Sequence, residues 1–285
     1  MSANMKSVKQ RIRSVQSTMQ ITRAMELVAS SKLRKAKERA ENCRPYFQIL
    51  YETLRKIAVQ NRELSSYTKA SVSEKWCYVV IAGDRGLAGG YNANLFKCLE
   101  ENVAGKEFAI LPIGKKAVEY AKRRKLECLS EEFAEVDKIG PLECSLMARM
   151  LCDAFQDGRF GHIVLCCTKF LSMVSQEPQS LAVLPLADLA EKESAKRENR
   201  SMIVYEPDAG SVFEAIVPEY VAGLIYGGVC DSLASELAAR RSAMEAATGN
   251  AEEMIAKLSL YYNRVRQAGI TQEITEIIGG AETGS

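Results

Sequence analysis

The stretch CDSLASELAARRSAMEAATGNAEEMIAKLSLYYNRVRQA, residues 230–268, decides the fold, because its apolar side chains recur in alternating steps of three and four. Counted from Cys230, the steps fall on Leu233, Leu237, Arg240, Met244, Ala247, Ala251, Met254, Leu258, Tyr261, Val265 and Ala268. Only Arg240 in this series is charged. A stripe of more than five heptads predicts a coiled-coil helix. Gly249 lies inside this helix at a cost of up to about 1 kcal/mol, which so long a stripe can tolerate.

A second stripe with the same spacing lies near the N-terminus. Its members are Met5, Val8, Ile12, Val15 and Met19. The stripe is interrupted at Thr22 and Glu26 and resumes at Ala29, while Leu27 and Val28 offer a displaced stripe in between. The interruption indicates that the helix faces a different neighbour there, or twists relative to its partner.

The two terminal stretches carry opposite charge although the chain as a whole is near neutral, at +2. Residues 1–56 hold 13 Lys and Arg against 4 Asp and Glu, a net charge of +9. Residues 208–285 hold 5 against 11, a net charge of −6. Attraction between the arms favours their pairing. Because the arms enclose the middle of the chain, they can pair antiparallel without a long return loop.

The middle of the chain alternates between short apolar runs and helical segments, which predicts an α/β domain with an open, doubly wound, Rossmann-like sheet. The predicted strands are 76–82, 107–113, 162–170, 181–186 and 201–207, and the predicted helices are 92–103, 114–125 and 142–156. The sequence thus divides into an N-terminal coiled-coil helix, a globular domain and a C-terminal coiled-coil helix. Their predicted ranges are 1–60, 75–207 and 208–285.

A glycine-rich turn, GDRGLAGGYN at 83–92, follows the first predicted strand. Its glycines do not fit the G-x-G-x-x-G pattern, and the later Gly114-Lys115-Lys116 lacks the other residues of a P-loop. A structural turn or a contact surface is therefore favoured over an anion cradle, which stays open as a minority interpretation. Asp84 and Arg85 are interpreted as a local pair.

The sequence contains few residues in patterns that are typical of catalysis or metal binding. The chain has one histidine, His162, and nine cysteines without a C-x-x-C pair, so a zinc site lacks its ligand spacing. The cysteines are interpreted as buried reduced thiols. We expect no catalytic residue, no cofactor and no metal. We also expect no membrane span, since no window holds about 20 apolar residues.

Three blocks of this sequence resemble the gamma subunit of F-type ATP synthase, in the same order. They are IRSVQSTMQITRAMELVASSKLRKAKERA at 12–40, GDRGLAGGYN at 83–92, and SELAARRSAMEAATGNAEEMIAKLSLYYNRVRQAGITQEITEIIGGA at 235–281. The chain departs from the usual pattern at Leu237, where many members have His, and at Gly249, where a polar residue is common. Residues 105–200 carry little that is diagnostic, and the absence of an insertion there makes the chain similar to bacterial members.

The resemblance implies a rotor without a catalytic site of its own. In this family the paired terminal helices turn inside a hexamer of three alpha and three beta subunits. The globular domain lies on the membrane c-ring, beside the epsilon subunit. One copy is present per complex, peripheral to the cytoplasmic face of the cell membrane. Ion flow turns the ring, and the shaft drives the beta subunits through synthesis or hydrolysis of ATP.

Partner contacts follow from the resemblance by matching motif positions. Those expected with the beta subunit are Arg266, Gln267, Met25, Arg23 and Lys32. The globular domain would form the foot of the shaft. The contacts expected at this foot, with the rotor ring and epsilon subunit, are Tyr205, Glu206 and Asp208.

Two alternatives remain open on sequence alone. The basic first arm is compatible with a coiled-coil protein that binds nucleic acid or serves as a scaffold, although it lacks interleaved aromatic residues until Tyr46. The alternating middle segment is compatible with a Rossmann-like enzyme carrying helical extensions.

Overall fold

The computed structural model describes residues 2–60, 66–68, 73–186 and 205–282. Two long helices, α1 at Ser2–Gln60 and α5 at Ala209–Glu282, enclose an α/β domain in sequence. Its strands are β1 at Trp76–Ile81, β2 at Phe108–Ile113, β3 at His162–Phe170 and β4 at Gln176–Leu184. Its helices are α2 at Tyr91–Val103, α3 at Lys115–Arg124 and α4 at Pro141–Gln156, and single 3-10 turns lie at Ser66–Thr68 and Val136–Lys138.

The four described strands form one mixed sheet in the order β2-β1-β3-β4. Strand β1 pairs in parallel with both β2 and β3, and β3 pairs antiparallel with β4. The fold class is therefore confirmed as α/β with long terminal helices. The parallel part has the predicted doubly wound connections, because crossovers through helices join its strands.

Both faces of this sheet are covered, so its parallel strands read as continuous apolar runs. One face packs on α2 and α3 through Tyr78, Val80 and Ile110. The other packs on α4 and on parts of α1 and α5, with Val79 and Ile81 in the core. Successive residues of β1 point to opposite faces, as strand geometry requires.

The fourth strand differs from the sequence-based expectation. Strand β4 spans Gln176–Leu184 instead of 181–186, and it returns directly from β3 as a hairpin. Its first half, with Pro178, is polar and half-exposed, because β4 lies at the edge of the sheet, where proline is tolerated. The strand predicted at 201–207 lies outside the described residues up to position 204, and Tyr205–Pro207 form no strand.

The chain separates into two compact units. One comprises Met1–Ser30 and Arg240–Ser285, and the other Ser31–Ala239. Both boundaries fall inside long helices, whereas the sequence-based ranges 1–60, 75–207 and 208–285 keep each helix whole. Those ranges stay a prediction.

Within the larger unit, α1 and α5 pair antiparallel. Tyr51 lies against Tyr220, at 6.1 Å between ring centroids, and Phe47 lies against Tyr226 at 6.3 Å. Nearer the N-terminus of α1, Leu33 joins a small apolar cluster with later residues of α5. Later positions on α1 thus meet earlier positions on α5, which is the antiparallel pairing predicted from the position of the domain between the two arms.

Within the smaller unit, the stripe of α1 continues through its interruption. Thr22 is buried, and its hydroxyl lies 2.8 Å from that of Thr248. Ala29 is also buried. The interruption is therefore a change from an apolar to a polar contact, and the same side of α1 stays buried. The helix does not turn to a different neighbour there, as the sequence had suggested.

The buried residues of α5 differ from the predicted series at every second position. At each of these positions the buried residue is the next one along the chain. Met254 and Tyr261 are 43% and 47% exposed, while Thr248 is buried. Ile255 and Tyr262 are half-buried. The observed series is Met244, Thr248, Ala251, Ile255, Leu258, Tyr262, Val265 and Gly269. The predicted coiled-coil period is retained, but the buried side is slightly rotated.

One helix of the described residues passes a composition test for membrane spans, contrary to the sequence-based expectation. A window within Ala209–Thr275 has a mean hydropathy of 1.3, and half of that window is buried inside the protein. The core helix of a soluble protein passes the same test, so this finding is weak support for a span.

Candidate partner-binding surfaces

The glycine-rich loop after β1 is fixed by side-chain bonds at both ends. Asn92 accepts a bond from the Gly83 N–H at 2.9 Å. The Asp84 carboxylate accepts bonds from the backbone N–H groups of Lys115 and Val136, at 3.2 and 3.1 Å. Asp84 thus ties the loop to the start of α3 and to the next 3-10 turn. This structural role goes beyond the local pair with Arg85 that was inferred from the sequence, and that pair stays a prediction.

Several cysteines of the described residues are buried reduced thiols, whereas Cys98 and Cys128 are only half-buried. Burial raises the pKa values of Cys77, Cys144, Cys152 and Cys166 to about 12. A thiol with so high a pKa holds little thiolate at neutral pH and is a poor nucleophile. These side chains therefore pack the core, as interpreted from the sequence.

His162 lies at the start of β3 in an aromatic stack. Its ring lies 4.1 Å from the Trp76 ring, over which the Lys106 ammonium lies at 3.7 Å. Partial burial and the Lys106 charge lower the pKa of His162 below its usual value of about 6.5. The imidazole is therefore held neutral as a packing group.

This lowered pKa predicts a loss of stability in acid. The unfolded chain takes up the proton at higher pH than the folded chain, so the free energy of unfolding should fall as pH decreases below about 6.5. His162→Gln should remove that part of the pH dependence. Urea unfolding at about pH 7.5 and about pH 5.5 measures it. Equal losses for both proteins would contradict the role given to His162, which is the single histidine of the chain.

The residues predicted on α1 have different surroundings. Arg23 is exposed and Met25 is half-buried. Lys32 pairs with Asp137 at 3.4 Å, with both side chains more than half exposed. Such a pair is weak and can be exchanged for another acidic partner. Sequence reasoning missed that Ile21, Leu27 and Val28 are 58%, 65% and 59% exposed. The displaced stripe around Leu27 and Val28 was the signal for that surface.

Arg266 and Gln267 are exposed on the last part of α5. They lie apart from Met25, because Thr22 lies against Thr248 and Arg266 is 18 residues farther along the helix. At about 1.5 Å per residue, that separation is about 27 Å. Sequence reasoning missed the exposed isoleucines beyond them. These are Ile270, Ile274, Ile277 and Ile278, with exposures from 48% to 72%.

The residues predicted at the foot lead into α5. Tyr205 is half-buried against the core, and Glu206 is exposed. Asp208 accepts bonds from the Ser211 N–H at 2.9 Å and from its hydroxyl at 2.7 Å, as an N-terminal helix cap. These bonds lower the pKa of Asp208. Its carboxylate therefore has a structural role, which sequence reasoning missed.

A cleft of about 380 Å³ opens among α1, α4 and α5 in the larger unit. Tyr46, Phe47 and Pro141 contribute to its lining. Nearby parts of the same helices expose Ile49 and Leu142, at 64% and 70%. This apolar region has the character of a surface that a partner covers.

Comparison with known proteins finds relatives that match this chain over nearly its whole length. A sequence profile described as ATP synthase matches residues 4–283. The chain is 46% identical over 281 residues to the ATP synthase gamma chain of Ruminococcus albus, covering 96% of each chain. It is 38% identical over 299 residues to the sodium-ion-specific gamma chain of Acetobacterium woodii, covering 99% of each.

Solved structures agree on the fold. A chain of the Euglena gracilis mitochondrial ATP synthase, in its OSCP/F1/c-ring assembly, has a TM-score of 0.68 at 16% identity, with 99% and 95% coverage. A chain of the Tetrahymena thermophila central stalk and c-ring has a TM-score of 0.57 at 22% identity, covering 80% of this chain and 99% of its own. From the profile match and the identity to gamma chains over nearly the whole length, this chain belongs to the ATP synthase gamma chain family.

Proposed function

We propose that this chain is the central-stalk rotor subunit of an F-type ATP synthase. It couples ion flow through the membrane rotor ring to synthesis or hydrolysis of ATP at the alpha/beta hexamer, and it carries no catalytic site. Within the smaller unit, apolar residues lie outside the seam as well as inside it: Ile21, Leu27, Ile274 and Ile277 are all more than half exposed. This observation supports the proposal, because a helical pair with apolar outer surfaces is suited to a surrounding protein sleeve.

The beta-subunit contacts proposed are Arg23, Met25, Lys32, Arg266 and Gln267. The cationic members match an acidic partner, and an exposed cation contributes more to steering and register than to affinity. The two groups on the smaller unit, around Met25 and around Arg266, are separated along the helices. They would meet the hexamer at different levels.

The foot contacts proposed are Tyr205, Glu206 and the apolar cleft beside Tyr46, which would meet the rotor ring and the epsilon subunit. Asp208 would support this region by capping α5. One copy would act per complex, at the cytoplasmic face of the cell membrane. The relatives and structures named above give no support to a nucleic-acid-binding or scaffold function.

The decisive experiment is reconstitution of the purified chain with alpha and beta subunits and then with membrane sectors in sealed vesicles. We expect ATP hydrolysis by the alpha/beta assembly to depend on this chain, and ATP-driven ion uptake to depend on it in vesicles. Hydrolysis and uptake that are the same without the chain would overturn the proposal. DNA-dependent retention of the chain at moderate salt would support the alternative.

Substitution of Arg266 and Gln267 by alanine tests the proposed contact of these two residues with the beta subunit. Both side chains are exposed, so we expect the free energy of unfolding to change by less than about 0.5 kcal/mol. Maximal ATP hydrolysis should fall about ten-fold if each side chain loses a contact to the beta subunit. Arg264→Ala, another exposed cation two residues away, is the matched control and should retain most activity. Equal activity of the double variant and this control would remove Arg266 and Gln267 from the contact.

A further inference from the structure

The sheet has a position where folds of this class bind ligands. Strand β1 is central, and its parallel neighbours β2 and β3 lie on opposite sides of it. In such open sheets, a crevice forms beyond the carboxyl ends of the strands where the connections diverge. Here that position lies between Gly83, after β1, and Thr168, near the end of β3.

Side chains of α5 fill this crevice. The Thr168 N–H donates to the Ser232 hydroxyl at 3.2 Å, and the Ser235 hydroxyl donates to the Thr168 carbonyl at 3.3 Å. A Cβ atom added at Gly228 would lie 3.1 Å from side-chain atoms of both Ile81 and Leu165. The helix therefore lies directly on the sheet and leaves the crevice occupied by its own residues.

Glu236 brings a buried carboxylate to the glycine-rich loop. Glu236 as a whole residue is 5% exposed to solvent. A Cβ atom added at Gly83 would lie 2.7 Å from Glu236 Oε1 and 3.0 Å from Oε2, so only glycine allows this approach without rearrangement. The contact joins residues from distant parts of the chain, at the first position of the loop.

The surroundings favour a negative charge at this point. Helix α2 begins at Tyr91 in the same loop, with Gly90 at its N-cap and no side-chain hydrogen bond to that cap. The start of a helix is electrostatically positive and attracts anions. Burial, and then the charge of Glu236, raise the pKa of Tyr91, so this phenol stays neutral.

We propose that Glu236 is an internal anionic ligand that latches α5 onto the glycine-rich loop, and that this latch positions α5 on the foot during rotation. It takes the place that a phosphate group would hold in a dinucleotide-binding relative of this fold. The inference rests on the proposed rotor function. A loosened latch would let the foot turn without moving α5 in step, so hydrolysis would continue with fewer ions moved.

The first test is hydrogen exchange on the full chain with Glu236→Gln, which keeps the shape and removes the charge. We expect amide exchange to rise about ten-fold in two segments, 83–91 and 228–236, as for one lost charge-assisted contact. Glu245→Gln, an exposed carboxylate of the same helix, should leave both segments unchanged. Unchanged exchange in Glu236→Gln would overturn the latch.

The second test uses reconstituted vesicles and measures ions taken up per ATP hydrolysed. Glu236→Gln should lower this ratio while hydrolysis continues. An unchanged ratio, with exchange increased, would overturn the positioning role. If even the wild-type chain fails to support hydrolysis, the proposed function fails, and the exchange result still decides whether the latch exists.

Two further variants keep the latch testable. If Glu236→Gln does not fold, Glu236→Asp keeps the charge on a shorter side chain and should fold with an intermediate rise in exchange in the same segments. Exchange equal to that of the wild type would contradict the contact. In Glu236→Ala, added formate should restore part of the protection at an ionic strength where chloride does not. Equal effects of the two salts would contradict an anion position.

Discussion

Gly223→Ala is expected to lower the free energy of unfolding by about 1–3 kcal/mol, the usual cost of overpacking. A Cβ atom at this position of α5 would lie 2.6 Å from Cε1 of Phe47 on α1. The Phe47 ring is packed edge-to-face between Tyr46 and Tyr226, at centroid distances of 5.5 and 6.3 Å, so its shift disturbs both neighbours. Urea unfolding of the purified variant measures the loss.

Gly249→Ala is the matched control on the same helix. An added Cβ meets nothing within 4 Å there, so the helix gains propensity without a clash. We expect a gain of up to about 1 kcal/mol. The double variant Phe47→Leu with Gly223→Ala should recover part of the loss, since the smaller side chain can move aside. If Gly223→Ala stabilised the chain as Gly249→Ala does, the close helix contact would not exist in solution.

The helical period of α5 was readable from the sequence, but its buried side was not. Neighbouring positions offered two acceptable residues at several steps, such as Met254 beside Ile255, and counting apolar residues could not choose between them. Thr248 was passed over because it is polar. In the structure it is buried against Thr22, and this pair selects the observed series.

The interruption in α1 had the same physical origin. Thr22 looked like a gap in an apolar stripe, yet a buried hydroxyl is stable when it is hydrogen-bonded. Thr22 and Thr248 each bond to a carbonyl one turn earlier, at 3.0 and 2.9 Å, as well as approaching each other. A pattern within one helix cannot show a polar pair between two helices.

The glycine-rich loop shows the other limit of sequence reasoning. Its turn and following helix were predicted, and its lack of a nucleotide motif was correctly noted. What fills the adjacent crevice comes from Ser232 and Glu236, more than 140 residues later in the chain. Only tertiary structure brings them to Thr168 and Gly83, so no local motif could have indicated them.

Arg39→Ala is expected to cost about 2–4 kcal/mol of stability, which is large for a basic residue on a long helix. Its Nε donates to the Tyr226 hydroxyl at 2.7 Å, and its terminal nitrogen donates to the Ile139 carbonyl at 2.8 Å. The guanidinium also lies 4.9 Å from the Tyr226 ring centre. One side chain thus joins α1 to α5 and to the segment before α4. Arg39→Lys should recover little, because an ammonium cannot reproduce this planar set of contacts.

Arg34→Ala on the same helix is the control for Arg39→Ala. The Arg34 side chain is 82% exposed and pairs with Glu38 at 4.0 Å, so its removal should change stability by less than about 0.5 kcal/mol. Urea unfolding of the three variants separates a structural cation from a solvated one. A similar, small loss for Arg39→Ala and Arg34→Ala would mean that the Tyr226 and Ile139 contacts add little to stability. A large loss for Arg39→Ala alone would show that this side chain is needed to keep α1, α5 and the segment before α4 together. A rotor needs such contacts because it must stay rigid while it turns.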